Sequence, residues 1–134
     1  REEGYFLIAL SGSEKYSVDV FCERLGFDIA LGEEYYEKDG YFTGELEQVV
    51  HRKEIFLQRF IDEHNLTLEG SIAIGDSAGD ISMLEFVENP IAFNPEDTLF
   101  EKATASGWDI VIERKNVIYT LKEKDGSYIL AKTV

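Results

Sequence analysis

The chain has 134 residues, which is enough for one domain with a buried core. Its hydrophobic content of 44%, with 13% aromatic residues, excludes a disordered chain. The formal net charge of −14 argues against binding to nucleic acid or to an anionic membrane, because both require a basic surface.

The cysteine content, the apolar runs and the start of the chain indicate the cellular location of the protein. A single cysteine, Cys22, excludes an internal disulfide and fits a reducing compartment, so we expect a cytoplasmic protein. No apolar run reaches the roughly 18 residues of a membrane span, and the start of the chain does not resemble a signal peptide. The chain begins at Arg1 without an initiator methionine, and we expect it to be part of a longer protein.

The first third of the chain predicts a strand, a helix and a second strand. Residues 5–10 form an uninterrupted apolar run, the pattern of a strand covered on both faces. A Ser-Gly-Ser turn at 11–13 follows, then a helix over 14–25 ended by Gly26. Residues 27–31 complete a βαβ unit, which indicates a parallel sheet. The apolar face of the helix is predicted to consist of Val18, Phe21, Cys22 and Leu25.

Two Asp-Gly turns predict β-hairpins. The turn at 39–40 lies between two aromatic pairs and gives a hairpin insertion over 33–46. The turn at 125–126 gives a second hairpin over 117–133, within a C-terminal extension over 113–134. The remaining elements alternate between helix and strand: a helix over 51–64, a strand and helix over 72–88, a strand over 90–94, a helix over 96–106 and a strand over 108–112.

Asp76 and Asp80 follow the apolar strand of residues 72–74 and lie four residues apart. Ligands bind at the carboxyl ends of strands in an open α/β sheet, and Mg²⁺ takes one or two carboxylates together with water and phosphate oxygens. A capped turn explains part of the same pattern, because Ser77 and Asp80 form a Ser-x-x-acid box. Asp80 also shares the helical spacing of Met83, Leu84 and Val87. A metal site and a capped turn both remain open on spacing alone.

Lys53 and the Ser11-Gly12 pair are candidates for binding an anion. Lys53 has the helical spacing of Leu57, Phe60 and Ile61, which directs it along the apolar face of its helix. An inward lysine needs an anionic partner, whereas a lysine at the edge of the face extends its ammonium to water. Ser11 and Gly12 follow a strand and precede a helix, where a hydroxyl and backbone N–H groups can cradle an anion. Ser-Gly-Ser is also ordinary turn chemistry.

In this order, the four candidates resemble the motifs of the haloacid dehalogenase-like hydrolases, in the branch of the phosphoserine phosphatases. Residues 10–13 (LSGS) match the second motif, and Lys53 matches the third. Residues 75–80 (GDSAGD) with Met83-Leu84 match the fourth. Two further segments that resemble this branch are 39–44 (DGYFTG) and 89–95 (NPIAFNP). The resemblance covers residues 5–112.

The resemblance implies a fold and a set of roles. The fold is a three-layer α/β/α, Rossmann-like parallel sheet, and 1–134 form a single core domain with two added hairpins. The resemblance implies that the Ser11 hydroxyl, Gly12 and Lys53 bind the phosphoryl group, that Asp76 binds Mg²⁺, and that Asp80 supports the metal site. The activity that the resemblance implies is Mg²⁺-dependent hydrolysis of a phosphomonoester, a small phosphorylated metabolite, through an aspartyl-phosphate intermediate.

The sequence departs from the family at its first motif, Asp-x-Asp-x-Thr, which supplies the nucleophilic aspartate and the general acid. No Asp-x-Asp occurs in the chain. The central strand that carries this motif, and the cap that follows it, are therefore expected to be absent, and the domain is incomplete at its N-terminus. We expect the chain alone to be inactive and to self-associate through an exposed sheet edge. A smaller departure is Gly79, where phosphoserine phosphatases often carry asparagine.

Two other functions agree with parts of the sequence. The chain is a non-catalytic module if it is a degenerate relative that binds phosphate or Mg²⁺, or if another chain supplies the missing strand. A serine esterase would use Ser77 as nucleophile, but that class needs a histidine base after the serine. Both histidines, His51 and His64, precede Ser77, which argues against the esterase.

Overall fold

The computed structural model describes residues 3–134 and divides the chain into two compact units. The first unit ends at Leu66 and the second runs from Thr67 to Val134. That 1–134 form one domain stays a prediction.

The first unit contains a three-stranded sheet in the order β1-β2-β3. β1 and β2 are parallel and are connected by helix α1, whereas β2 and β3 form an antiparallel hairpin around the turn at 39–40. The predicted βαβ unit and the first hairpin are both present. The elements are β1 (Ile8–Glu14), α1 (Lys15–Leu25), β2 (Ile29–Lys38), β3 (Tyr41–Glu47), a 3-10 turn (Val50–Arg52) and α2 (Lys53–His64).

The second unit contains a five-stranded sheet in the order β4-β5-β6-β7-β8. The first three strands are parallel, and β7 and β8 add an antiparallel hairpin beside β6. The second predicted hairpin is therefore present and extends the sheet. The elements are β4 (Ile72–Gly75), a 3-10 turn (Ala78–Asp80), α3 (Ile81–Phe86), β5 (Asn89–Phe93), α4 (Asp97–Ser106), β6 (Asp109–Arg114), β7 (Val117–Lys124) and β8 (Ser127–Thr133).

This architecture confirms the α/β fold class. Parallel strands alternate with helices in both units, and the two hairpins are added to the parallel strands. The parallel strands belong to two sheets, since β1 pairs with β2 and β4 pairs with β5. The strand that would carry the first motif, which the sequence predicts to be absent, belongs between the segments of β1 and β4 in the family pattern. None of the helices in the described part of the chain is long and apolar enough to cross a membrane.

The predicted turn at 11–13 is an irregular stretch inside β1. Leu10 pairs with Leu31 and Glu14 pairs with Glu33, so three residues of β1 face the single residue Gly32 of β2. A side chain at Gly32 would meet the backbone of this bulge, because a Cβ placed there lies 2.8 Å from the carbonyl oxygen of Ser13. The bulge bends the backbone at the position where the sequence predicted a turn.

The predicted apolar face of α1 is only half correct. Val18 and Cys22 are buried, but Phe21 and Leu25 are 65% and 56% exposed. The parallel part of the first sheet has two strands, so it covers a narrow line of the helix at positions i and i+4. The main core of the first unit instead lies between α2 and the sheet: it consists of Val49, Phe56 and Phe60 with Ile8, Leu10, Ile29 and Leu31.

The core of the second unit is formed by the inner faces of its helices and strands. α3 and α4 contribute Leu84, Leu99 and Ala103, which are fully buried. Ala92 of β5 and Ile110 of β6 complete the cluster. This core fixes the parallel strands whose carboxyl ends carry the candidate acids.

Candidate active site

Asp76 lies directly after the last residue of β4, and its carboxylate is exposed. Its backbone is held on both sides: the N–H donates to Asp80, and the carbonyl oxygen accepts a hydrogen bond from the N–H of Glu96 at 2.9 Å. The side chain therefore projects to solvent from a fixed backbone at the carboxyl end of a parallel strand. This is the position at which an α/β sheet binds ligands.

Asp80 is buried, with 3% of its surface exposed, and one of its oxygens organises the loop after β4. Oδ2 accepts the backbone N–H groups of Asp76 at 3.0 Å and of Ser77 at 3.1 Å, and also the Ser77 hydroxyl at 3.3 Å. The capping box that the sequence predicted is present. It does not compete with a metal site at Asp76, because the same carboxylate fixes the backbone on which Asp76 stands.

Gly75 lets the Asp80 carboxylate approach the end of β4. A Cβ built at Gly75 would lie 2.5 Å from the Cβ of Asp80 and 2.9 Å from its Oδ2. Real Cβ atoms do not come this close to other heavy atoms. A glycine before Asp76 is therefore a packing requirement of the loop.

Glu96 supports the same loop and was not identified from the sequence. Its carboxylate accepts the N–H of Ala78, and its own N–H binds the carbonyl oxygen of Asp76. The residue is the N-cap of α4, so its hydrogen bonds connect the start of that helix to the loop after β4. An acid at a helix start is so common that the sequence offered no signal for this second role.

The carboxylates after β4 are suited to bind a Mg²⁺ ion whose coordination is completed by water and phosphate oxygens. Among residues 3–134, no cluster of three or more His, Cys, Asp or Glu side chains could enclose a metal ion. The exposed Asp76 carboxylate gives one hard oxygen ligand, and the buried Asp80 keeps it in place. Mg²⁺ is commonly held by one or two carboxylates with waters and substrate phosphate. The residues present are therefore suited to this ion.

Ser11 and Gly12 lie in the bulge of β1. The Ser11 hydroxyl oxygen accepts the N–H of Ser13 at 3.1 Å, which closes a short local turn. Gly12 packs against the 3-10 turn before α2, since a Cβ at Gly12 would lie 2.4 Å from Cγ2 of Val50. The bulge thus brings the backbone of Gly12 against the turn that precedes Lys53.

Lys53 begins α2 and is buried, with 7% of its surface exposed. It shares the buried face of the helix with Phe56 and Phe60, whereas the predicted neighbours Leu57 and Ile61 are half-buried. The prediction that Lys53 lies along the apolar face is correct, and a lysine extended to solvent does not agree with this burial. A buried ammonium at the first turn of a helix opposes the helix dipole, so its position indicates a role other than helix stability.

Glu33 of β2 is a second residue that the sequence pattern does not reveal. It is buried, with 5% of its surface exposed, and its Oε1 accepts the N–H of Val49 at 3.0 Å and of Val50 at 3.2 Å. The N–H groups of Val49 and Val50 begin the 3-10 turn before Lys53. The side chain of Val49, the N-cap residue of this turn, makes no capping hydrogen bond. One acid of a Glu-Glu pair in a strand resembles a surface charge, so the pattern gave no sign of its burial.

The candidate residues belong to two different units of the chain. Ser11, Gly12 and Lys53 belong to the first, and Asp76 and Asp80 belong to the second. The esterase alternative receives no support, because the Ser77 hydroxyl donates to a carboxylate and the second unit contains no histidine.

Comparison with known proteins decides the family. The family model described as "HAD: haloacid dehalogenase-like hydrolase" matches residues 1–85. The chain belongs to this family. The phosphoserine phosphatase of Methanocaldococcus jannaschii is 34% identical over 125 residues, covering 91% of this chain and 57% of that protein. The phosphoserine phosphatase of Archaeoglobus fulgidus is 29% identical over 121 residues, covering 88% of this chain and 34% of that protein.

Solved structures give the same result for the fold. A crystal structure of phosphoserine phosphatase in its apo form matches with a TM-score of 0.71 and 33% identity, covering 85% of this chain and 56% of that one. A phospho-aspartyl intermediate analogue of phosphoserine phosphatase matches with a TM-score of 0.70 and 34% identity, covering 84% and 53%. The resemblance to the phosphoserine phosphatase branch of the haloacid dehalogenase-like hydrolases is therefore confirmed. The chain spans between about a third and just over half of these curated relatives.

Proposed function

We propose that the protein to which this chain belongs is a Mg²⁺-dependent phosphomonoester hydrolase of the phosphoserine phosphatase type. The observation that carries the proposal is the exposed Asp76 carboxylate, held at the carboxyl end of β4 by the buried Asp80. The phosphoserine phosphatases among its relatives support the reaction class, and one of the matching structures is of a phospho-aspartyl intermediate analogue.

The first unit contributes groups suited to phosphoryl oxygens. Lys53 carries a positive charge in a buried position, where electrostatic interactions are stronger than in water. The Ser11 hydroxyl and the backbone around Gly12 offer hydrogen-bond donors. Donors and cations placed before the reaction begins stabilise the charge that develops on the equatorial oxygens of a transferring phosphoryl group.

The second unit contributes the metal site. Asp76 would hold Mg²⁺, and Asp80 would keep the Asp76 loop in position. When bound, Mg²⁺ neutralises negative charge on phosphate oxygens and orients the phosphoryl group. Glu96 assists by fixing Ala78 and the carbonyl oxygen of Asp76.

The nucleophile in this proposal lies outside the 134 residues. The phosphoryl group would pass from the substrate ester oxygen, which leaves as the alcohol after taking a proton from the general acid of the first motif, to an aspartate carboxylate; water would then attack the phosphorus, which regenerates the carboxylate and releases phosphate. The chain contains no Asp-x-Asp, so we expect these residues alone to show no phosphatase activity.

The substrate class is a small phosphorylated metabolite, and the relatives favour phosphoserine. Gly79 stands at a position where that branch often has asparagine, so the test includes several phosphomonoesters. A cytoplasmic location belongs to the same proposal.

The decisive experiment is a phosphatase assay on the full-length protein with and without Mg²⁺. The Asp76→Asn variant should lose activity and its response to Mg²⁺. Asp125→Asn is the matched control: it removes an exposed carboxylate from the β7–β8 turn, and asparagine tolerates the positive φ of 52° at that position. Equal activity of Asp76→Asn and the wild type would contradict the proposal.

The alternative function is a non-catalytic module that binds phosphate or Mg²⁺. The groups proposed for Mg²⁺ and phosphate, the exposed Asp76 carboxylate and the buried Lys53, would serve binding without turnover equally well. It predicts that the full-length protein binds inorganic phosphate or Mg²⁺, as measured by calorimetry, without hydrolysing any phosphomonoester. Turnover that disappears on chelation would exclude it.

We also propose that the isolated chain self-associates through an exposed sheet edge. β4 is the first strand of its sheet, and Ile72 and Ile74 are 50% and 60% exposed. An apolar edge strand with unpaired backbone groups pairs readily with another chain. A monomeric sedimentation profile of the isolated chain at high concentration would contradict this.

A further inference from the structure

Glu33 is a buried acid to which the proposed function assigns no role. It lies at the point in β2 where the parallel pairing with β1 ends and the hairpin with β3 begins. A carboxylate removed from water costs free energy unless hydrogen bonds or charges compensate it. Its Oε2 is buried and has no hydrogen-bond partner among residues 3–134, so the compensation on this side is incomplete. Such an acid requires an explanation beyond strand stability.

The contacts of Oε1 supply that explanation. This oxygen accepts two successive backbone N–H groups, those of Val49 and Val50, which open the 3-10 turn. The first N–H groups of a helical segment have no partners within the helix, and a carboxylate is a strong acceptor for them. Glu33 therefore caps this turn from a neighbouring strand, sixteen and seventeen residues away in sequence.

The capped turn contacts one of the phosphate-binding candidates, Gly12, and is followed directly in sequence by another, Lys53. Val50 packs against Gly12, whose missing side chain makes room for its Cγ2. Arg52 donates its N–H to the carbonyl oxygen of Val49 at 3.0 Å, and α2 starts at the next residue, Lys53. A displacement of the turn would thus move the start of α2 and release the contact on Gly12.

We propose that Glu33 is a positioning residue for phosphate binding: its carboxylate fixes the 49–50 turn, and the turn in turn fixes Lys53 and the Gly12 backbone. This inference rests on the proposed function for the role of Lys53 and Gly12. It adds a residue that makes no contact with phosphate, and it assigns to β2 a part in organising the binding groups.

The test compares two variants of Glu33 in the full-length protein. Glu33→Gln keeps an oxygen that accepts the two N–H groups but removes the charge. Glu33→Met keeps an unbranched side chain of similar length without an oxygen acceptor. Val18→Ala is the matched control, since it shortens a buried side chain of the same unit that is not part of the core cluster around Val49.

Two measurements separate positioning from general stability. The first is amide hydrogen exchange at Val49 and Val50, which reports the turn without reference to any activity. The second is the inhibition constant of inorganic phosphate together with kcat and KM for a phosphomonoester. We expect Glu33→Met to accelerate exchange at both amides and to raise the inhibition constant and KM about tenfold or more, the equivalent of losing one hydrogen bond to a charged group. Glu33→Gln should return the exchange rates, the inhibition constant and KM most of the way to the wild-type values. Val18→Ala should lower Tm while leaving these three quantities unchanged.

The outcomes distinguish this inference from the proposed function. If the wild type hydrolyses phosphomonoesters and folded Glu33→Met has the same exchange rates and phosphate affinity, the inference is wrong and the proposed function stands. If the wild type neither hydrolyses phosphomonoesters nor binds phosphate, the proposed function fails, and the assigned role of Glu33 in phosphate binding fails with it. In that case the exchange rates still show whether Glu33 fixes the turn.

Discussion

The backbone N–H of Asp76 donates a hydrogen bond of 3.0 Å to Oδ2 of Asp80, so a buried acid holds the backbone of an exposed one. The same oxygen accepts the N–H and the hydroxyl of Ser77. The exposed carboxylate therefore stands on a loop whose conformation is fixed before any ligand arrives. Such preorganisation is what a metal-binding side chain needs.

Replacing Asp80 should destabilise the fold, whereas replacing Asp76 should not. Asp80→Ala leaves the N–H groups of Asp76 and Ser77 without their acceptor, and we expect the free energy of unfolding to fall by about 2 to 4 kcal/mol. Asp76→Asn changes an exposed side chain, and we expect a change within about 0.5 kcal/mol. Urea denaturation followed by circular dichroism measures both. Similar losses for the two variants would contradict the roles assigned to these acids.

The sequence predicted those features of the second unit that have a local cause. The Ser77–Asp80 box follows from three-residue spacing, and the hairpin at 125–126 follows from an Asp-Gly turn. Glu96 depends instead on the approach of α4 to the loop after β4. That approach is set by tertiary packing, which spacing along the chain does not encode.

In the first unit, too, features with a local cause could be predicted from the sequence, whereas features set by tertiary packing could not. The helical spacing of Lys53 predicted its place along the apolar face and left open whether the side chain is buried, which the structure shows it to be. The burial of Glu33 had no such local signal, because its two hydrogen bonds reach across the hairpin to residues 49–50. Phe21 and Leu25 are exposed although their spacing placed them on the apolar face. Periodicity identifies the face of a helix, but the number of strands beneath it decides how much of that face is covered.

Glu14 should make the first unit sensitive to acid. Its carboxylate caps α1 by accepting the N–H groups of Tyr16 at 2.8 Å and Ser17 at 3.1 Å, and these hydrogen bonds lower its pKa below the usual value of 4.5. A lowered pKa in the folded state means that the stabilisation is present above pH 4.5 and is lost as the pH falls through the folded pKa. Glu14→Gln should remove this part of the pH dependence. We expect the Tm of the wild type and of the variant to converge as the pH falls from 6 towards 3 (about 1.5 units either side of a carboxyl pKa), and a constant difference would contradict the assignment.

Cys22 should react slowly with alkylating reagents. The side chain is buried in α1, and burial, followed by the charge of Asp19, raises the pKa of its thiol above 9.0. Because the thiolate is the reactive form, little of it is present at neutral pH. We expect iodoacetamide to modify the protein only after urea is added, as followed by mass spectrometry. Modification of the native protein at the rate of a free thiol would show that α1 opens or that Cys22 is not packed.

Tyr128 should anchor the β7–β8 hairpin to the rest of the second unit. Its hydroxyl lies 2.8 Å from the carbonyl oxygen of Ala103 and 2.9 Å from that of Trp108, so it donates to the end of α4. Tyr128→Phe removes this donor, and we expect the free energy of unfolding to fall by about 1 kcal/mol. Tyr119→Phe is the control, since Tyr119 lies in β7 of the same hairpin and is more exposed.

The same hydroxyl predicts a loss of stability at high pH. Burial, and then the negative charges of Glu123 and Asp109, raise the pKa of Tyr128 above 10.0. A raised pKa in the folded state means that its stabilisation is complete below pH 10 and is lost as the pH rises through the folded pKa. The difference in unfolding free energy between the wild type and Tyr128→Phe should therefore shrink above pH 10. A difference that stays constant up to pH 11.5 (about 1.5 units above an ordinary tyrosine pKa) would show that the hydroxyl does not hold the hairpin through its proton.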